Sequence, residues 1–128
     1  MTSPVDTETA TTYETVCRVD QIDREGGVTA LVGGEAVAVF RTFDDAIFAL
    51  ANYDPFSKAS VLSRGIVGTR TLDDEEVPFV ASPMHKQAFD LRTGRCLDDA
   101  TTAVATYDVR VDDGVVSIGA KREPDRIA

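Results

Sequence analysis

Short apolar runs separated by turn residues constrain this chain most. No helical period persists long enough for a helix of normal length, so the pattern predicts strands throughout. The clearest pair is residues 28–32 and 35–40 around Gly33-Gly34. Adjacent glycines supply the two positive φ angles that a type I′ hairpin turn needs. Ala36-Val37-Ala38-Val39-Phe40 is apolar at every position, so this strand is expected to be covered on both faces. Residues 46–51 are a similar run, and Thr15, Cys17 and Val19 alternate with Val16 and Arg18 as a first strand. Runs at 66–72 and 77–81 flank Asp73-Asp74-Glu75-Glu76, which reads as a solvated turn. After Ser82-Pro83, where proline has no N–H to donate to a ladder, residues 87–91 resume a strand. Thr93-Gly94 then turns the chain back toward Cys96. Residues 102–111 alternate well, with Val104, Thr106, Asp108 and Arg110 on one face, and Asp112-Asp113-Gly114 closes a last hairpin onto 115–118. The irregular stretch 52–65 leaves room for one helical turn near 59–63. Many short strands with regular turn signals predict an all-β sandwich or barrel.

The 128 residues suit one domain, expected over 13–120. Residues 1–12, rich in Thr with Ser, Pro and acids, read as a disordered tail, and 121–128 as a short polar one. Asp and Glu number 22 against 13 Lys and Arg, a net charge of −9. That balance argues against nucleic acid and against an anionic membrane surface, which both need clustered cations. No run approaches the roughly 20 apolar residues of a membrane span. The first residues show neither a basic start nor an apolar core, so a secretory signal is not expected. Cys17 and Cys96 are therefore expected to be reduced thiols of a cytoplasmic protein. Neither G-x-S-x-G, a P-loop nor G-x-G-x-x-G occurs, and no catalytic constellation is visible.

Two segments share a layout: each follows an apolar strand and centres on a proline. The first is Asn52-Tyr53-Asp54-Pro55-Phe56, continuing to Val61-Leu62-Ser63-Arg64-Gly65. The second is Ser82-Pro83-Met84-His85-Lys86-Gln87-Ala88-Phe89-Asp90-Leu91, then Thr93-Gly94. Together they resemble the two cluster-binding loops of Rieske domains, which run C-x-H and then C-P-x-H-G-x-x-F-D before a T-G turn. The resemblance spans residues 16–119 and implies the Rieske fold of stacked antiparallel sheets. At the ligand positions the pattern departs. Asp54 stands at the first Cys, Phe56 at the first His and Ser82 at the second Cys; His85 alone matches a ligand. A Rieske centre needs two thiolates on one iron and two imidazoles on the other. Hard oxygen donors suit that chemistry poorly, and a phenyl ring ligates nothing but fills space. The resemblance is thus to a Rieske domain without its cluster.

A narrower likeness lies in Asp54-Pro55-Phe56-Ser57, in Val61-Leu62-Ser63-Arg64-Gly65-Ile66-Val67-Gly68, and in the Ser82-Pro83, Lys86-Gln87, Phe89, Leu91, Gly94 and Cys96-Leu97 positions of the second loop. These strings are similar to the small subunit of the assimilatory NAD(P)H-dependent nitrite reductase. That resemblance implies an accessory subunit with no catalytic residue, metal or cofactor of its own. The partner would be a large subunit holding FAD, an iron–sulfur cluster and siroheme, which reduces nitrite to ammonia in nitrate assimilation. Two rival readings are a Rieske-type ferredoxin that carries electrons and a free-standing protein-binding β-domain. Asp54-Pro55 also has a plain explanation, since Asp-Pro commonly starts turns by bonding its own backbone. Arg64, Met84 and Lys86, placed at the two loops, are the candidates for docking a partner.

Overall fold

The computed structural model describes residues 12–84 and 86–124. Its strands are β1 (Glu14–Arg18), β2 (Gly26–Val32), β3 (Glu35–Arg41), β4 (Ile47–Ala51), β5 (Tyr53–Asp54), β6 (Ala59–Ser60), β7 (Ile66–Leu72), β8 (Glu75–Ala81), β9 (Ala88–Asp90), β10 (Thr106–Asp112) and β11 (Val115–Arg122). A six-stranded antiparallel sheet runs in the order β1-β11-β10-β4-β3-β2. A three-stranded sheet, β7-β8-β9, packs against it, and β5-β6 is a separate small ribbon.

The central strand β3 behaves as its unbroken apolar run predicts. Val37, Ala38, Val39 and Phe40 are all fully buried. Because side chains alternate along a strand, they feed two cores. Ala38 and Phe40 join Leu50, Leu62, Val67, Val80, Phe89, Leu91, Cys96 and Val104 between the two sheets. Val37 and Val39 join Ile22, Ala49, Tyr107, Val116 and Ile118 on the other face. The two thiols are split the same way, Cys96 in the first core and Cys17 against the second, and both are free. Burial pushes both thiols up, so neither is primed as a nucleophile.

The β2-β3 hairpin turns on Gly33 (φ 58°) and Gly34 (φ 83°), as its dipeptide predicts. Other boundaries shift. The acidic turn consists of Asp73-Asp74 alone, both at positive φ, while Glu75 and Glu76 already belong to β8, opposite Leu72 and Thr71. The helical turn lies at Leu62–Arg64, because residues 59–60 pair with β5 instead. Val19 leaves the first strand for a 3-10 turn, Val19–Gln21. The alternating run at 102–111 becomes strand only at Thr106, and a bulge between Tyr107 and Val109 interrupts its register. Lys121 and Arg122, placed by their polarity in a tail, extend β11, where they pair with Tyr107 and Thr106. A charged side chain costs a strand little when it faces water, so polarity alone misplaced that boundary. The expected N-terminal tail lies outside the described residues except for Thr12, and so does the end of the expected C-terminal one.

Gly94 closes the turn after β9. Its φ is +80°, and a Cβ there would overlap the Val104 carbonyl, which is held close because the Val104 N–H donates to Gly94 O at 2.8 Å. Gly94→Ala is expected to cost about 2–3 kcal/mol through strain and overpacking together, read as a lower urea midpoint with an unchanged slope.

Candidate functional site

The two proline-centred loops lie side by side at one end of the molecule, joined through Asp54 and Ser82. Asp54 ends β5, and Ser82 directly follows β8. Both side chains are buried, and the Ser82 hydroxyl donates to Asp54 Oδ2. Asp54 also accepts from the Phe56 backbone N–H (2.9 Å to Oδ1) and the Ser57 hydroxyl (2.9 Å to Oδ2). Ser82 Oγ in turn accepts from the Met84 N–H at 3.2 Å. A single carboxylate thus ties together both loop tips. Burial pushes the Asp54 carboxyl up, but the bonds from Ser82, Phe56 and Ser57 outweigh it and hold it below the usual carboxylate range.

The loops repeat one another in detail. In the first, the Lys58 N–H donates to Asp54 O at 2.7 Å; in the second, the Lys86 N–H donates to Ser82 O at 2.9 Å. Both lysines are left-handed, with φ 59° and 65°. Residue by residue the pattern is an acceptor side chain, proline, an apolar residue, a fourth residue and lysine. The proline-to-lysine spacing was legible in sequence and was missed, as was Ser57 as the third donor to Asp54. The left-handed geometry was not legible, because lysine gives no signal for it.

Phe56 occupies the first imidazole position of the resemblance and points inward. Its ring lies 6.1 Å from that of Phe89, tilted by 50°, and packs on the core between the sheets. Phe89 is fully buried, and its neighbour Asp90 organises the following turn. Asp90 accepts from the Arg92 N–H at 2.8 Å and from the Arg92 guanidinium at 3.1 Å, while its carbonyl accepts from the Gly94 N–H at 2.8 Å. Asn52 braces the first loop from behind. Its side-chain oxygen accepts from Ser63 N–H (2.8 Å) and its carbonyl from Leu62 N–H (3.0 Å), which fixes the turn that carries Arg64. Arg64, Met84 and Lys86 are all exposed at this end. His85 lies outside the described residues.

An iron–sulfur cluster does not fit this donor set. Asp54 and Ser82 spend their oxygens on each other and on loop N–H groups, and Phe56 fills the space of an imidazole. Cys17 packs against the other core, Cys96 is buried in the core between the sheets, and among the described residues no three His, Cys, Asp or Glu side chains group to hold a metal. The fold and its end loops therefore define a Rieske-type domain in which hydrogen bonds and an aromatic plug stand where ligands would.

Comparison with known proteins agrees. The family model described as "Rieske-like [2Fe-2S] domain" matches residues 12–119. The nitrite reductase (NADH) small subunit of Salmonella typhimurium is 45% identical over 107 residues, covering 83% of this chain and 95% of that protein. The solution structure of the E. coli protein NirD superposes with a TM-score of 0.75 at 41% identity, covering 86% of this chain and 97% of that one. A third relative is the nitrite reductase [NAD(P)H] large subunit of Klebsiella oxytoca, 39% identical over 107 residues, which are 84% of this chain and 11% of that protein. This chain belongs to the family of nitrite reductase small subunits, within the Rieske-like domains.

Proposed function

We propose that this chain acts as a cofactor-free subunit that docks through its paired loops onto a nitrite reductase large subunit. In this reading the large subunit holds FAD, an iron–sulfur cluster and siroheme, and passes electrons from NAD(P)H to nitrite in the cytoplasm, yielding ammonia. Redox chemistry of that kind belongs to the cofactors, and a protein without them contributes binding and orientation. The observation that carries the reading is the Klebsiella relative, in which the matching stretch is part of the large-subunit polypeptide itself. A domain tethered to an enzyme works at high effective concentration beside it, and a separate chain meets the same need by docking. The donor set counts against an electron-carrier role, because among the described residues no three His, Cys, Asp or Glu side chains group to hold a redox metal.

Arg64, Met84 and Lys86 are the docking residues of this reading: two cations and one apolar side chain, exposed on loops held by a rigid scaffold. The test is co-expression with the large subunit. The expected result is co-purification and faster NAD(P)H-dependent nitrite consumption than with the large subunit alone, both reduced by an R64E/K86E variant. A large subunit that neither retains the small chain nor changes its rate overturns the reading.

A further inference from the structure

We propose that Lys58 and Lys86 form a matched cationic pair that recognises an acidic, apolar-centred face of the large subunit, an inference that rests on the docking reading above. The first ground is backbone conformation. Among the described residues seven non-glycine ones have positive φ: Asp45, Asp73, Asp74 and Asp113, with Glu25, Lys58 and Lys86. Aspartate tolerates the left-handed region by bonding its own backbone; lysine has no such compensation, and glycine would fill both positions at lower cost. A residue kept where its backbone is disfavoured, twice and at equivalent places, points to a use for the side chain.

The second ground is charge. Residues 55–72 and 77–89 contain no Asp or Glu, although the whole chain carries −9. Of the carboxylates beside the loops, Asp54 is buried and committed to hydrogen bonds, and Asp98 accepts from the Ala88 N–H at 2.8 Å. Among the described residues Arg70 pairs with Asp98, whereas Lys58, Arg64 and Lys86 make no ion pair. The acids of the β7-β8 hairpin, Asp73 to Glu76, sit at its far turn, about 20 Å along the strand from Ile66. That distance is about two Debye lengths at physiological salt, so the two ends act as separate fields. Among the described residues the loops thus carry three cations, Lys58, Arg64 and Lys86, outside any ion pair and apart from that acidic turn.

The third ground is the apolar content of that end. Met84 is 58% and Ile66 69% exposed, and Ile66 pairs with Ala81, directly before Ser82. A free anion has no use for such side chains, whereas a protein face buries them inside a ring of charge pairs. Opposite charge across that contact steers association.

The test measures association of the full-length chain with the large subunit across a salt series. The unaltered chain should associate more slowly as salt rises. K58G/K86G should slow association about tenfold at low salt and flatten the salt dependence, while its Tm stays level or rises, because glycine relieves the backbone. K58Q/K86Q should show the same loss of rate with a full-length side chain in place. Rates and salt dependence equal to the unaltered chain in both variants overturn the proposal, as does association that speeds up with salt. Association that survives but ignores these charges sinks this inference alone; no association of the unaltered chain at any salt sinks the docking reading with it.

Discussion

Asp54→Ala is expected to lower the unfolding free energy by about 3–5 kcal/mol, since it leaves several buried donors without a partner at about 1–3 kcal/mol each. The Ser82 and Ser57 hydroxyls and the Phe56 N–H all lose their acceptor at once. The loss is not confined to one loop, because Ser82 also carries the Met84 N–H. Urea denaturation measures it, and a cost below about 1 kcal/mol, the level of a single exposed bond, would show that the carboxylate does not hold the loops. Asp54→Asn keeps the shape and one acceptor, so a smaller cost of about 1–2 kcal/mol is expected at neutral pH. The acid limb separates charge from shape. A carboxyl whose folded value lies below its unfolded value stabilises the fold fully above the unfolded value, near ~4, and loses that contribution as pH falls through the lower folded one. The gap between wild type and Asp54→Asn should therefore narrow below about pH 4. Asp45, Asp99 and Glu35 are also held low and give both proteins a common acid sensitivity, so the difference between the two curves is the informative quantity.

Phe89→Ala is expected to cost a further about 3–5 kcal/mol in its own right, the range for a buried phenyl ring truncated to a methyl. Phe89 is fully buried, and its backbone pairs with Val80 on one side and Cys96 on the other, so the surrounding strands cannot collapse freely into the space. The cavity would open directly beneath Phe56. Phe89→Leu refills most of the volume and should cost less than about 1.5 kcal/mol. Near-equal effects of the two substitutions would show that the ring is not packed as described. Because Phe56 and the Asp54 bonds share the first loop, Asp54→Ala and Phe89→Ala are expected to combine non-additively in a double-mutant cycle.

Both effects fall on residues that the resemblance had already singled out, but for reasons the sequence could not supply. The loss of ligand chemistry at Asp54, Phe56 and Ser82 is a statement about side-chain type, and side-chain type is written in the chain. That Asp54 and Ser82 bond one another is a statement about two residues brought together by the packing of β5 beside the end of β8. Nothing local to either residue encodes that approach. Asp54-Pro55 as a turn starter was correct as far as it went: the Phe56 N–H does bond the Asp54 side chain. What the turn reading omitted was the second oxygen, which reaches across to the other loop.

The sequence by itself determined the strand pattern, because period-two burial and turn chemistry are local. Gly33-Gly34 specified its hairpin through φ angles that few other residues adopt, and the apolar run of β3 announced burial on both faces. It also placed Asp54, Phe56 and Ser82 at three of the four Rieske ligand positions, side-chain types that suit a cluster poorly. Tertiary structure alone decided the strand order, which sets β11 between β1 and β10. It decided too that Lys58 and Lys86 share one left-handed geometry in two loops. Backbone conformation against a residue's own preference is imposed by distant hydrogen bonds and packing, and these become visible only when the two loops stand side by side.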